Sequence, residues 1–180
     1  MVSLISNILL QLRLKERYKH FASSKRSIKE VNSLLIICTN KEWQNENLFI
    51  EFAKTLKLAP NQIKLVVLST KELKMENKTV LESYFFSKQS IGFFGKLPQA
   101  FTNLIKKPVD LQLNFFNEQS VFIDFMAASF ESNFRLGFSK SNEQLNDLIL
   151  AIDPNDHSLF LSESKRYLAC LLYTSPSPRD

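Results

Sequence analysis

The sequence predicts an α/β domain: helices packed on both faces of a mostly parallel sheet. Two observations carry this. Short apolar runs of strand length alternate with longer segments of helical period, which is the pattern of strand–helix–strand units. The chain is also apolar enough to fill a core, at 44% hydrophobic residues with 16 Phe in 180 positions. The expected architecture is a three-layer, Rossmann-like or flavodoxin-like domain with five strands and right-handed crossovers.

Residues 3–22 read as a helix. Leu4, Ile5, Ile8, Leu9 and Leu12 recur at i, i+3 and i+4 and make one apolar stripe. Arg13, Lys15, Arg17 and Lys19 crowd its C-terminal half, where cations suit the helix dipole. Ser23 to Ser27 is a polar linker. Val31 to Thr39 is a short apolar run rich in Leu and Ile and predicts a buried strand. Asn45 to Lys57 predicts a helix with Leu48, Phe49, Phe52, Ala53 and Leu56 on one face, and Pro60-Asn61 marks the turn after it. Ile63 to Leu68 predicts the second strand, and Thr70 to Lys78 a loop or weak helix.

Ser90 to Phe94 is the expected third strand, broken by Gly95-Lys96-Leu97-Pro98. Gln99 to Lys106 predicts a short helix and Val109 to Phe115 a fourth strand. Glu118 to Phe130 predicts a helix with Val121, Phe122, Phe125, Met126 and Ala128 towards the core. Phe134 to Phe138 is the fifth strand. Asn142 is an N-cap candidate for a helix running through Leu145, Leu148 and Ile149. Leu159 to Ala169 begins a last helix.

The domain organisation expected is a basic amphipathic helix over 1–24 and a single α/β domain over 31–169. Residues 170–180, CLLYTSPSPRD, match an out-of-frame reading of a transposon-type sequencing adapter. They are expected to be non-native, and the chain a metagenomic gene fragment whose natural sequence stops near Ala169.

Charge and composition narrow the function classes. The net charge of +5 resides entirely in residues 1–30, and the remainder is balanced. The basic balance therefore describes an N-terminal arm and not a nucleic-acid surface, and no nucleic-acid partner is expected. Only three glycines occur. Neither a G-x-G-x-x-G nor a G-x-x-x-x-G-K-[ST] phosphate loop is present. With Cys170 in the adapter-like tail, Cys38 alone remains, which leaves no disulfide and no cysteine-based zinc site. No signal peptide or bilayer-spanning run is visible, so a cytoplasmic location is expected, with possible attachment at the inner membrane surface.

Three segments carry a family resemblance: SIGFFGKLP, PVDLQLNFFNE and FMAASFESNFRLGFSKSNEQLNDLILAI. They resemble a group of short bacterial proteins known only as a domain of unknown function. In that group a strand of the form D-L-L-I-[DN] leads to a helix ending in A-x-x-S-x-A-x-[FY]-[RK]-[VL]-G-F, followed by N-D-L-I. The matching residues are Asp110, Leu111, Leu113 and Asn114, then Ala127, Ser129 and Phe134 to Phe138, then Asn146 to Ile149. Gln112 and Leu113 depart from the aliphatic pair, and Phe130 to Asn133 from a smaller helix end. The resemblance implies a basic helix before a compact α/β domain, with no activity or functional residues to transfer. The layout is also similar to the N-terminal domain of heptosyltransferase-type glycosyltransferases, a likeness of fold and not of activity.

In an open parallel sheet, ligands bind beyond the C-terminal strand ends, where the strand order reverses. The candidates there are Asn40, Thr70, Lys96, Asn117 and Ser139, a set that hydrogen-bonds but lacks an acid–base pair. The same residue types also cap helices and close turns. Gly92, Gly95 and Pro98 around Lys96 read as an anion loop or, more simply, a strand end with φ > 0 at glycine. Cys38 reads as a small core hydrophobe. His20 and His157 are isolated, and no metal or cofactor is expected. The arm offers Arg13, Lys15, Arg17 and Lys19 for docking on a protein partner or an anionic membrane. The expectation is a binding protein, leaning away from an enzyme. The alternative is a small-molecule-binding domain or small enzyme that uses the strand-end crevice.

Overall fold

Strands buried on both faces are mostly apolar, and a polar side chain there needs a hydrogen-bond partner. Four strands form the centre of the sheet: β1 (Leu34–Thr39) and β2 (Ile63–Ser69), which are near-continuous apolar runs, and β4 (Val109–Phe115) and β5 (Ser132–Phe138), which bury Gln112, Asn114 and Arg135 among apolar residues. All six residues of β1 are buried. The computed structural model describes residues 2–23, 28–71, 80–92, 95–138, 143–153 and 155–173. Among them two further strands, β3 (Glu82–Ser87) and β6 (Leu148–Leu150), form the edges. The order is β3-β2-β1-β4-β5-β6, and every pairing is parallel.

Among the described residues five helices cover this sheet: α1 (Val2–Ser23), α2 (Glu46–Thr55), α3 (Gln99–Leu104), α4 (Val121–Ala128) and α5 (His157–Tyr173). Strand side chains alternate between two cores. Leu34, Ile36 and Cys38 of β1 join Phe49 and Phe52 of α2 and Phe160 and Leu168 of α5. Leu35 and Ile37 face the other way, to Leu10 and Leu14 of α1, Phe101 of α3 and Phe122 and Met126 of α4. This is the expected sandwich of a sheet between helical layers. Among the described residues, no helix is long and apolar enough to cross a membrane.

Two expectations need correction, and both concern edges. Among the described residues the sheet has six strands, not five. The third strand is Glu82–Ser87, and Ser90 of the expected run closes a 3-10 turn over Lys88–Ser90, while Phe93 and Phe94 lie outside the described residues. The helix expected through Leu145, Leu148 and Ile149 is instead a 3-10 turn (Glu143–Leu145) followed by β6, and its proposed cap Asn142 lies outside the described residues. Leu136 pairs with Leu148 and Phe138 with Leu150, so β5 captures this segment as a ladder partner. Most of the expected loop at Thr70 to Lys78 also falls outside the described residues.

Candidate functional site

The strand order reverses between β1 and β4, whose registers put Cys38 beside Phe115. A cleft of about 470 Å³ opens just beyond this point. Its floor is Phe115, fully buried and packed edge-on to Phe49 and Phe138 at 5.1 Å between ring centroids. One wall is the turn after β1, with Lys41, Glu42 and Asn45. The carboxylate of Glu42 accepts the Thr39 backbone N–H at 3.2 Å and also the Thr39 hydroxyl, which fixes that wall to the strand end. The other wall follows β4, with Asn117 and Glu118, and Asn155 closes the rim from the segment before α5. The Asn117 Oδ1 is buried and has no hydrogen-bond partner among the described residues.

The predicted site residues scatter over the molecule. Asn117 lines the cleft. Asn40 is exposed in the turn beside it, next to Lys41. Thr70 follows the end of β2, one strand away. Lys96 is exposed beside Gly95, whose carbonyl accepts from Arg13 Nη1 at 3.0 Å. Ser139 lies outside the described residues. Sequence reasoning missed Lys41, Glu42, Asn45, Glu118 and Asn155 among the polar residues of the cleft. Only the ends of β1 and β4 hinted at them, since the walls come from turns and not from strands. Among the described residues no group of three or more His, Cys, Asp or Glu is placed to hold a metal.

The motif residues at 110–149 have a different role: they bind the strands to one another. Asp110 Oδ2 accepts the Asn32 backbone N–H at 2.9 Å and the Ser33 hydroxyl at 3.0 Å, and its Oδ1 accepts Asn133 Nδ2 at 3.0 Å. This ties the start of β4 to the chain entering β1 and to β5. Arg135 N–H donates to Asp147 Oδ2 at 2.8 Å, and Asp147 N–H returns a bond to the Arg135 carbonyl at 2.9 Å. Under α4 runs a buried polar chain. Ser132 Oγ donates to Gln112, Gln112 Nε2 to Asn114 and to the Ala127 carbonyl, and Asn114 Nδ2 to Asn146 Oδ1 at 2.7 Å. Gly137 leaves the space that the Asn146 amide fills: a Cβ there would stand 2.4 Å from Nδ2. A family model matches residues 7–171 of this chain. The protein belongs to DUF6913, a family of unknown function. No curated protein and no solved structure matches it.

In this DUF6913 protein α1 is an integral outer helix. Leu10 and Leu14 are buried in the α4-side core, with Tyr18 and Phe21 packed against it. Arg17 Nη1 donates to the Ala128 carbonyl at 3.2 Å, and its guanidinium lies 5.7 Å from the Phe125 ring centroid. Burial, and then the neighbouring Arg13 charge, lower the Arg17 pKa, and Glu131 opposes them. Arg135 from β5 stacks at 3.9 Å on the Phe21 ring. Arg13 and Arg17 thus serve to hold α1 down. Lys15 and Lys19 are exposed. Ile5, Ile8 and Leu12 face outward at 47, 50 and 54% exposure. The apolar stripe of the sequence is therefore largely the outer face of α1, and a second stripe makes the core contact.

Proposed function

We propose that this protein acts by binding, and that the outward face of α1 attaches it to an anionic membrane surface from the cytoplasmic side. One observation carries the reading. Ile5, Ile8, Leu12, Lys15 and Lys19 follow one another at alternating spacings of three and four, so they form a single line along the helix. The docked side chains Leu10 and Leu14 occupy the opposite side. An apolar half followed by a cationic half suits a surface that takes alkyl groups below a layer of negative headgroups. The excess of positive charge in residues 1–30 supports the same partner.

The scaffold is, on this reading, Rossmann-like, because its strand order is that of doubly wound dinucleotide-binding sheets. A dinucleotide is not the ligand it favours. The turn after β1 contains no glycine, and its Glu42, a cleft-lining carboxylate, opposes a pyrophosphate at this strand end.

Co-sedimentation with vesicles tests the attachment. The full chain is expected to pellet with phosphatidylglycerol-containing vesicles at low salt, less at high salt, and not with phosphatidylcholine alone. Ile8→Asp is expected to abolish pelleting while leaving the melting temperature unchanged. Equal pelleting of wild type and variant, or none with the anionic vesicles, refutes the attachment. Deleting the helix is a poor test, because it also removes Leu10 and Leu14 from the core.

A further inference from the structure

The cleft at the meeting of β1 and β4 is independent of the α1 face. We infer that it binds a neutral, polyhydroxylated small molecule of mono- or disaccharide size. Its position is the one where open parallel sheets take ligands, because the strand ends diverge there and leave a crevice. About 470 Å³ lies in the range of small-molecule sites. The floor is firm, since Phe115 is locked among Phe49, Phe138 and Phe160.

The lining chemistry selects the class of ligand. Asn45, Asn117 and Asn155 each carry a donor and an acceptor on one rigid plane. A hydroxyl is likewise both donor and acceptor, so amides and polyols satisfy each other in pairs. Glu42 and Glu118 add strong acceptors. They outnumber the single ammonium of Lys41, so the rim repels phosphates and carboxylates. The buried Asn117 Oδ1 is a further acceptor without a partner among the described residues. Such a group costs stability until a donor reaches it. Amide χ2 torsions are broad, so this cleft-lining side chain can re-aim its oxygen towards a donor.

Amide-detected NMR of the full chain tests the inference, with glucose, mannose and trehalose as probes and with spermidine and inorganic phosphate as comparators. At least one sugar is expected to shift the amide signals of Lys41, Glu42, Asn45, Asn117 and Glu118 in a saturable way. Asn117→Ala and Glu118→Gln are each expected to weaken that binding at least tenfold. Neither is expected to lower the unfolding midpoint, because the first removes an oxygen that has no partner among the described residues and the second keeps its shape. If no sugar moves these signals, or both variants bind as the wild type does, the site is not a polyol site. Saturation by spermidine or phosphate alone overturns the assignment in favour of a charged ligand.

Discussion

At the scale of single residues, the side chains that resemble family motifs are mortar between strands. Gly137 shows the logic. Its missing Cβ admits the Asn146 amide, which in turn accepts from Asn114. Gly137→Ala should push Asn146 aside and leave the Asn114 amide without that bond, at a cost of about 1–3 kcal/mol. Urea unfolding would read this as a lower midpoint. In an Asn146→Ala background the same change should cost much less, because the clash and the bond are both already gone. Cys38 makes a second residue-scale prediction. Burial, and then the Glu42 charge, raise its thiol pKa well above the ordinary value. The folded protein therefore keeps the proton where the unfolded chain releases it, so stability should fall as pH rises through the normal thiol range. In native protein Cys38 should resist a thiol reagent until denaturant is added, whereas the exposed Cys170 should react at once. Rapid modification of both would contradict this burial.

At the scale of elements, α1 is divided between two tasks. Arg17→Ala removes the bond to the Ala128 carbonyl and the packing on Phe125, and should cost about 1–2 kcal/mol in thermal or urea unfolding. Lys15→Ala should change stability by less than about 0.5 kcal/mol yet reduce vesicle pelleting. The reverse pattern would mean that the outward line of α1 is not the attachment face. The same helix shows what sequence periodicity conveys. Ile5, Ile8 and Leu12 make one stripe; Leu10, Leu14, Tyr18 and Phe21 make another. Both have helical period, and nothing local says which one meets the sheet. Among the central strands, β1 and β2 were legible as near-continuous apolar runs, β4 by its alternation of apolar and polar residues, and β5 by the short run Phe134 to Phe138. The edges were not. β3 is half-exposed along most of its length and opens with Glu82, and β6 has only three residues, whose spacing from Leu145 mimics a helix. The cleft was legible in place, through the strand ends, but mostly not in composition. Glu42, Asn45 and Asn155 are brought together by turns whose course depends on the whole sheet.

At the scale of the molecule, the sheet divides into two sequence halves. β1, β2 and β3 lie on one side of the β1–β4 pairing and β4, β5 and β6 on the other. The two end helices cross that line. α1, first in sequence, lies on α4 of the later half. α5, last in sequence, packs on α2 of the earlier half, with Phe160 against Phe52 at 5.3 Å. Each half thus holds an element of the other, and the two are expected to gain and lose order together. The uneven charge adds a further property. On the proposed attachment, the positive excess of residues 1–30 against a balanced remainder adds a torque to the attraction within the ~8–10 Å reach of fields in physiological salt. The expected consequence is that α1 turns towards an anionic surface before contact, so that the orientation of docking is set during approach.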